Sequence, residues 1–166
     1  KNSAAMPDAS QELLLNAQKL SNAIVLLSQG IPFLHGGVDF ARTKNGNDNS
    51  YNAGVELNKM DYSRKAQFID LFNYYKGMIE LRKSHPAFRM ATAQEIKENL
   101  VFLDTPRNIV AFILNGEATG DTWKEILVIF NGNIEDAKIT LPNGSWNLAM
   151  DEARVSKESL GEIKGE

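Results

Sequence analysis

The amino-acid sequence predicts an α+β fold in which an incomplete α/β unit is followed by an antiparallel all-β sandwich domain. In the first half, apolar residues recur every three or four positions, as they do along a helix with one buried face. Beyond about residue 90 the pattern changes to short apolar runs separated by turn residues, which is typical of antiparallel strands. The charge changes at the same place, from net +3 over residues 1–90 to net −6 over residues 91–166. We therefore expect two domains, 1–90 and 91–166.

The first half predicts a helix, a buried strand, a long loop and a second helix. Asp8 is the expected N-cap of the first helix, and Gly30 marks its expected end. The wholly apolar run 31–35 suits a strand that is buried on both faces of a parallel sheet. A second helix is expected over residues 64–83, where aromatic and aliphatic residues share one face. Because one strand cannot form a sheet, we expect its partners outside this chain or in another copy of it.

The second half predicts a series of short strands. Turn residues such as Asn115-Gly116 and Asn131-Gly132 divide it into apolar runs. These runs cover residues 99–104, 108–114, 125–131, 137–141 and 146–150. The last dozen residues, 155–166, are polar, and we expect them to be frayed.

The loop that follows the predicted strand has the chemistry of a ligand site. Over residues 42–52 it carries side-chain amides, charged groups and one tyrosine, without regular apolar spacing. Amides and guanidinium groups bond to sugar hydroxyls, and an aromatic ring packs against the apolar face of a sugar. The same composition also suits a solvated loop that is held by Asx turns.

The composition excludes several classes of function. The chain has no cysteine, so disulfides, thiolate catalysis and cysteine metal sites are excluded. It has no dense stripe of Lys and Arg for a nucleic acid, and no apolar run of roughly 20 residues for a membrane span. The glycine pair after residue 35 belongs to no phosphate-binding motif. We expect neither a cofactor nor a metal.

The two histidines favour structural roles, and the N-terminal residues carry no targeting signal. His35 is expected as a hydrogen-bonded imidazole at the end of the buried strand, and His85 as a cap on the last carbonyls of the second helix. The sequence begins with neither Met nor an apolar signal core, so we expect an excised or processed piece. Secreted, periplasmic and cytoplasmic locations all remain open.

Several motifs along the chain occur together in one known family. They are Gln29-Gly30-Ile31-Pro32-Phe33, Arg42-Thr43-Lys44, Asn49-Ser50-Tyr51, Asn58, Asp61-Tyr62, Leu81-Arg82 and His85-Pro86-Ala87-Phe88. In this order they resemble the end of the catalytic barrel of pullulanases, which are debranching members of the α-amylase superfamily. The match continues through the all-β part and covers essentially the whole chain. Asp39 and Tyr62 depart from the pattern, because many relatives carry Glu and Trp there.

The resemblance implies that residues 1–90 are the last helix-strand-loop-helix unit of a (β/α)8 barrel. It also implies a parent enzyme that hydrolyses α-1,6-glucosidic branch linkages in pullulan, starch or glycogen with retention. Retention requires two carboxyl groups about 5–5.5 Å apart, which the family carries on earlier strands. We therefore expect no catalytic residue in this chain and no hydrolysis by the chain alone.

The combined arguments give a set of substrate-binding candidates on the loop. They are Arg42, Asn49 and Tyr51, with Asp48 and Asn52 as weaker candidates. The expected ligand is an α-glucan polysaccharide or oligosaccharide.

Two other interpretations remain open. The β-domain by itself is a candidate carbohydrate-binding module, in which Trp123, Trp146 or Phe112 stacks on sugar. An isoamylase or branching-enzyme relative is the alternative within the enzyme class, and the motif over residues 42–52 weighs against it. In either case, the apolar surface of an incomplete barrel predicts self-association of the chain.

Overall fold

The computed structural model describes residues 6–165 and is a mixed helical and antiparallel fold, as predicted. Its α-helices are α1 (Gln11–Leu27), α2 (Val55–Asn58), α3 (Arg64–Gln67), α4 (Ile69–Ser84) and α5 (Ala93–Asn99). Its strands are β1 (Leu100–Phe102), β2 (Ile109–Asn115), β3 (Glu125–Asn131), β4 (Gly144–Leu148) and β5 (Gly161–Gly165). The α+β class is confirmed, whereas the barrel and sandwich arrangements stay predictions.

Helix α1 begins two residues later than predicted. Ser10 is the N-cap, and its side-chain oxygen accepts a hydrogen bond of 3.1 Å from the backbone N–H of Leu13. The prediction of Asp8 as N-cap is therefore wrong, because either residue can supply the oxygen and the start of the backbone turn decides between them. After the helix, Gly30 adopts a φ of +90°, which turns the chain away from the helix axis.

The apolar run 31–35 is not a strand within residues 6–165, and the prediction of a buried strand is wrong for the chain by itself; pairing with strands outside the chain stays a prediction. The segment has no regular secondary structure, and Ile31 and Phe33 are 98% and 89% exposed. A strand requires a neighbour to receive its backbone hydrogen bonds, and no strand lies beside this segment within residues 6–165. His35 is likewise exposed, so its predicted role as a buried, hydrogen-bonded imidazole is also wrong.

The second predicted helix is interrupted. Phe68 has φ −116° and ψ 41°, outside the helical region, and it separates α3 from α4. Its side chain is 9% exposed, so the break places an aromatic ring in the core. Helix α4 then buries Tyr75 and Met78 almost completely, which explains the aromatic stripe in the sequence.

Strands β1, β2 and β3 form an antiparallel sheet in chain order. They confirm three of the predicted runs, and the pairs Phe102↔Phe112 and Phe112↔Val128 set the register. Helix α5, which precedes β1, was not predicted. Thr92 caps it by accepting a hydrogen bond of 3.1 Å from the backbone N–H of Glu95.

Strands β4 and β5 form a separate two-stranded antiparallel sheet. The predicted run 137–141 is not a strand, and the end of the chain that was expected to fray supplies β5 up to Gly165. Polar composition misled this prediction, because backbone pairing with β4, including Trp146↔Ile163, stabilises a strand that has only one large apolar residue.

Helices α1 and α4 pack against the three-stranded sheet around one core. The core joins residues from both halves of the sequence: Ala23, Leu26, Leu27, Phe68, Leu71, Tyr74, Tyr75, Met78, Leu81, Ala87, Phe88, Met90, Phe112, Leu114, Ile126, Val128 and Phe130. The boundary between domains 1–90 and 91–166 thus remains a prediction, with a shared core across it. No helix within residues 6–165 combines the length and apolarity that crossing a membrane requires.

Candidate functional site

The candidate site is the polar loop of residues 36–63, which connects the irregular segment after α1 with helix α3. Its base is fixed against the helices. Gln18 of α1 donates a side-chain hydrogen bond to the Val38 carbonyl, and Phe40 is 5% exposed. Gly37 has a φ of +90°, and a Cβ there would lie 2.8 Å from that of Arg42. The loop therefore leaves the core through a close turn that only glycine fits.

Asn58, the last residue of α2, is the centre of the loop's hydrogen bonds. Its Nδ2 donates to the carbonyls of Ser50 and Ala53, each at 2.8 Å. Its Oδ1 accepts from the Lys44 ammonium, and its backbone carbonyl accepts from the Arg42 guanidinium. One amide thus ties together both ends of the polar stretch. Composition did not single it out, because it lies outside residues 42–52; only its place in the family motif pointed to it.

Arg42, a predicted substrate residue, is largely engaged by the protein. Its guanidinium donates to the carbonyls of Gly36, at 3.4 Å, and of Asn58. Its Nε atom is buried and has no hydrogen-bond partner among the described residues. This geometry supports a role in shaping the loop.

The other four predicted substrate residues lie together at the tip of the loop. Asp48, Asn49, Tyr51 and Asn52 are all exposed, and the Tyr51 ring is 83% exposed. Within residues 6–165, none of these four side chains makes a hydrogen bond. They present two amides, a carboxylate and a phenol to solvent, which is a set of groups that can bond to sugar hydroxyls.

A second polar cluster is buried between the end of α4 and the β2–β3 connection. The Asp121 carboxylate, whose side chain is 0% exposed, accepts from His85 Nδ1 at 2.6 Å. It also accepts from the backbone N–H groups of Trp123, at 3.0 Å, and Ala87, at 3.2 Å. Burial acts to raise the pKa of Asp121, but these hydrogen bonds outweigh it and the pKa lies below its usual value.

The cluster corrects the predicted role of His85. Its ring lies 3.8 Å from the Trp123 ring, centroid to centroid, and its side chain bonds to Asp121. Only its backbone N–H caps the helix, at the Leu81 carbonyl. The prediction that the imidazole caps α4 is therefore wrong, because the ring is hydrogen-bonded to a carboxylate 36 residues away.

The family motifs at residues 29–33 and 81–88 meet in space. The Arg82 guanidinium donates to the carbonyls of Leu26 and Ser28, each at 2.7 Å, and to that of Gly30 at 2.6 Å. Gln29 donates to the Ala87 carbonyl at 2.7 Å. These contacts cap the C-terminal end of α1, so the motif residues that make them stabilise the fold.

The described residues offer no metal centre. Within residues 6–165, no three carboxylate or imidazole side chains lie close enough together to hold a metal ion.

Comparison with known proteins gives a consistent result. The family model described as "Pullulanase, all-beta domain" matches residues 96–154. The pullulanase of Bacillus subtilis (strain 168) is 37% identical over 143 residues, which covers 86% of this chain and 20% of the relative. An isoamylase of a Flavobacterium species is 30% identical over 136 residues, or 70% of this chain and 18% of the relative.

Solved structures agree over almost the whole chain. The pullulanase from Bacillus acidopullulyticus superimposes with a TM-score of 0.92 at 46% identity, covering 98% of this chain and 20% of that one. This chain is a pullulanase-like C-terminal fragment. The Anoxybacillus sp. LM18-11 pullulanase complexed with maltotriose superimposes with a TM-score of 0.85 at 37% identity, covering 98% of this chain and 23% of that one.

The comparisons confirm the resemblance that the sequence motifs indicated. The chain spans about a fifth of the length of the relatives it matches. The relatives named here are a pullulanase and an isoamylase, so the likeness is to one part of such proteins.

Proposed function

We propose that this chain is part of an enzyme that hydrolyses α-1,6-glucosidic branch linkages in pullulan, starch or glycogen, and that its loop tip contacts the α-glucan. The exposed side chains of Asp48, Asn49, Tyr51 and Asn52, together on a loop held by Asn58, carry this proposal. A flat phenol ring and adjacent amides suit a sugar, with its apolar face and its ring of hydroxyls. The maltotriose in the Anoxybacillus pullulanase supports a short α-glucan as the ligand.

The proposal also assigns residues 1–90 to the catalytic barrel. The segment 31–35 has no regular secondary structure and is exposed except for half-buried Leu34. Both its ends are fixed: Arg82 bonds to the Gly30 carbonyl, and Gly37 packs against Arg42. The His35 carbonyl accepts from the Val38 N–H, and the segment's other backbone groups make no backbone hydrogen bond within residues 6–165. They are the groups that a barrel strand would pair with its neighbours. Residues 1–90 would then complete the barrel, and residues 91–166 would form the all-β domain beside it.

The catalytic groups of a retaining mechanism are proposed to lie outside this chain. Retention requires a carboxylate nucleophile and a carboxylic acid held about 5–5.5 Å apart. At the loop tip Asp48 is the single carboxylate among the four candidates, and it is exposed. The purified chain should therefore release no reducing sugar from pullulan; release above a heat-denatured control would contradict this.

The contact of the loop with glucan is tested by titrating the ¹⁵N-labelled chain with maltotetraose. Resonances of residues 48–52 should shift, and Tyr51→Ala should weaken binding by about fivefold, which corresponds to roughly 1 kcal/mol. Asn73→Ala, which removes an exposed amide from α4, is the matched control and should bind as the unchanged chain does. Shifts confined to other residues would refute the placement of the site.

A cleft favours the β-domain as a second candidate site. It has a volume of about 1080 Å³ and lies among α1, β3 and β4. Of the three aromatics considered, Phe112 is 4% exposed in the core and Trp123 is stacked on His85. Trp146 is half-buried, lines the cleft, and donates its indole N–H to the Pro142 carbonyl at 3.0 Å. Loss of starch binding in Trp146→Ala, with an unchanged melting temperature, would favour this module over the loop.

Self-association through the exposed apolar surface is also proposed. Ile31 and Phe33 place two large apolar side chains in solvent next to unpaired backbone groups. Light scattering should show a dimer or larger species, and the double variant Ile31→Ser with Phe33→Ser should shift it toward the monomer. A monomeric unchanged chain would rule this out.

A further inference from the structure

We propose that Asn58 is a positioning residue for glucan binding, because it sets the shape of the loop tip without contacting the sugar. The inference rests on the proposed function of that tip. Asn58 is half-buried, whereas the proposed contacts Asp48, Asn49 and Tyr51 are exposed. It therefore acts on the ligand through the backbone that carries them.

The geometry explains why one amide has this effect. Asn58 Nδ2 donates to the carbonyls of Ser50 and Ala53, which bracket Tyr51 and Asn52. Its Oδ1 accepts from Lys44, whose ammonium also donates to Ser50 Oγ at 2.9 Å. The side chains of Asn58 and Lys44, with the hydroxyl and backbone carbonyl of Ser50, close a ring of hydrogen bonds at the base of the tip. This ring joins the two sides of the loop.

Little else holds the tip in place. Across residues 43–52 every side chain is exposed or only half-buried, so no apolar packing anchors the segment. Its remaining contacts are local turns, such as the Asn49 N–H on Asn47 Oδ1 at 2.9 Å and the Asn47 N–H on the Lys44 carbonyl at 2.9 Å. Local turns shape short stretches but do not connect the two sides of a loop. The two sides are connected by the hydrogen bonds of Asn58 and by the single Lys44–Ser50 hydrogen bond, and Asn58 supplies most of this connection.

Two substitutions separate the donor half of the amide from its acceptor half. Asn58→Ala removes both. Asn58→Asp keeps an acceptor for Lys44 and adds an attractive charge, but it cannot donate to Ser50 and Ala53. Both variants lose the hydrogen bonds to the Ser50 and Ala53 carbonyls, which lie on either side of Tyr51, so both should make the tip more mobile. Lys44→Met keeps these two hydrogen bonds and should have a smaller effect. Asn73→Ala on α4 is the matched control.

The experiment measures amide hydrogen exchange and maltotetraose affinity in the full chain. In both Asn58 variants, the amides of residues 47–53 should exchange at least tenfold faster, and the affinity should fall up to about fivefold, the loss expected for Tyr51→Ala, with an unchanged melting temperature. In a Tyr51→Ala background the same change at Asn58 should alter affinity by less than about twofold, because there is then no ring to position. A purely structural role would not produce that dependence on Tyr51.

The possible failures are distinguishable. If the unchanged chain binds no maltotetraose at the loop tip, the proposed function fails and the inference falls with it. If the unchanged chain binds and both Asn58→Asp and Asn58→Ala bind as tightly as it does, the proposed function stands and the inference is overturned. Unchanged exchange over residues 47–53 also overturns it, as does an equal loss of affinity with and without Tyr51.

Discussion

Replacement of the buried Asp121 carboxylate is the sharpest test of how the two halves of the chain are joined. Its side chain is 0% exposed and accepts hydrogen bonds from His85 Nδ1, Ala87 N–H and Trp123 N–H. The substitution Asp121→Asn keeps nearly the same side-chain size. However, the new amide nitrogen is itself a donor, and it would face N–H groups that now donate to the carboxylate. Since a hydrogen bond to a charged group contributes about 1.5–3 kcal/mol, we expect the free energy of unfolding to fall by about 2–4 kcal/mol.

The assay is urea unfolding followed by tryptophan fluorescence, for which Trp123, stacked on His85, is a local reporter. Asp104→Asn, at an exposed position, is the control and should change stability by no more than about 0.5 kcal/mol. A loss below about 1 kcal/mol for Asp121→Asn would refute the structural role of the cluster.

The pH dependence of that loss follows from the lowered pKa of Asp121. A carboxyl group whose folded pKa is depressed stabilises the protein above its unfolded pKa of about 3.9, and this contribution is lost as the pH falls through the folded pKa. The difference between Asp121→Asn and the unchanged chain should therefore be largest at neutral pH and shrink below about pH 4. A difference that stays constant down to pH 3 would contradict the ionised state.

Three further substitutions test the packing. Arg82→Met leaves three carbonyls at the end of α1 without their donor and should lower stability by about 2–4 kcal/mol in urea unfolding, with exposed Arg107→Met as the unaffected control. Tyr75→Phe should raise the melting temperature by about 2–4 °C in calorimetry, because the Tyr75 hydroxyl is buried without a partner among the described residues; a fall would show that the hydroxyl is bonded. Gly116→Ala would place a Cβ 2.0 Å from the Trp123 carbonyl and should cost about 1–3 kcal/mol, whereas Gly161→Ala meets nothing within 4 Å and should be nearly neutral.

Local sequence patterns determined the class of the fold and much of its element order. Strands β1, β2 and β3 fell where apolar runs alternate with turn residues, and helix α1 fell where apolar residues repeat at helical spacing. These features depend on neighbours a few residues apart, so a linear sequence contains them. The motif residues, by their identity and order along the chain, likewise indicated the pullulanase-like relationship that the comparisons confirm.

Only the tertiary structure decided the features that depend on distant partners. The run 31–35 has the composition of a strand but has no neighbouring strand among residues 6–165, whereas the polar end of the chain becomes β5 because β4 lies beside it. His85 bonds to a carboxylate 36 residues away, and Arg82 bonds to carbonyls more than 50 residues away. At the candidate site, composition identified the exposed tip but not Asn58, which holds it. Composition records which groups are present, and the folded backbone alone decides which of them come within hydrogen-bonding distance.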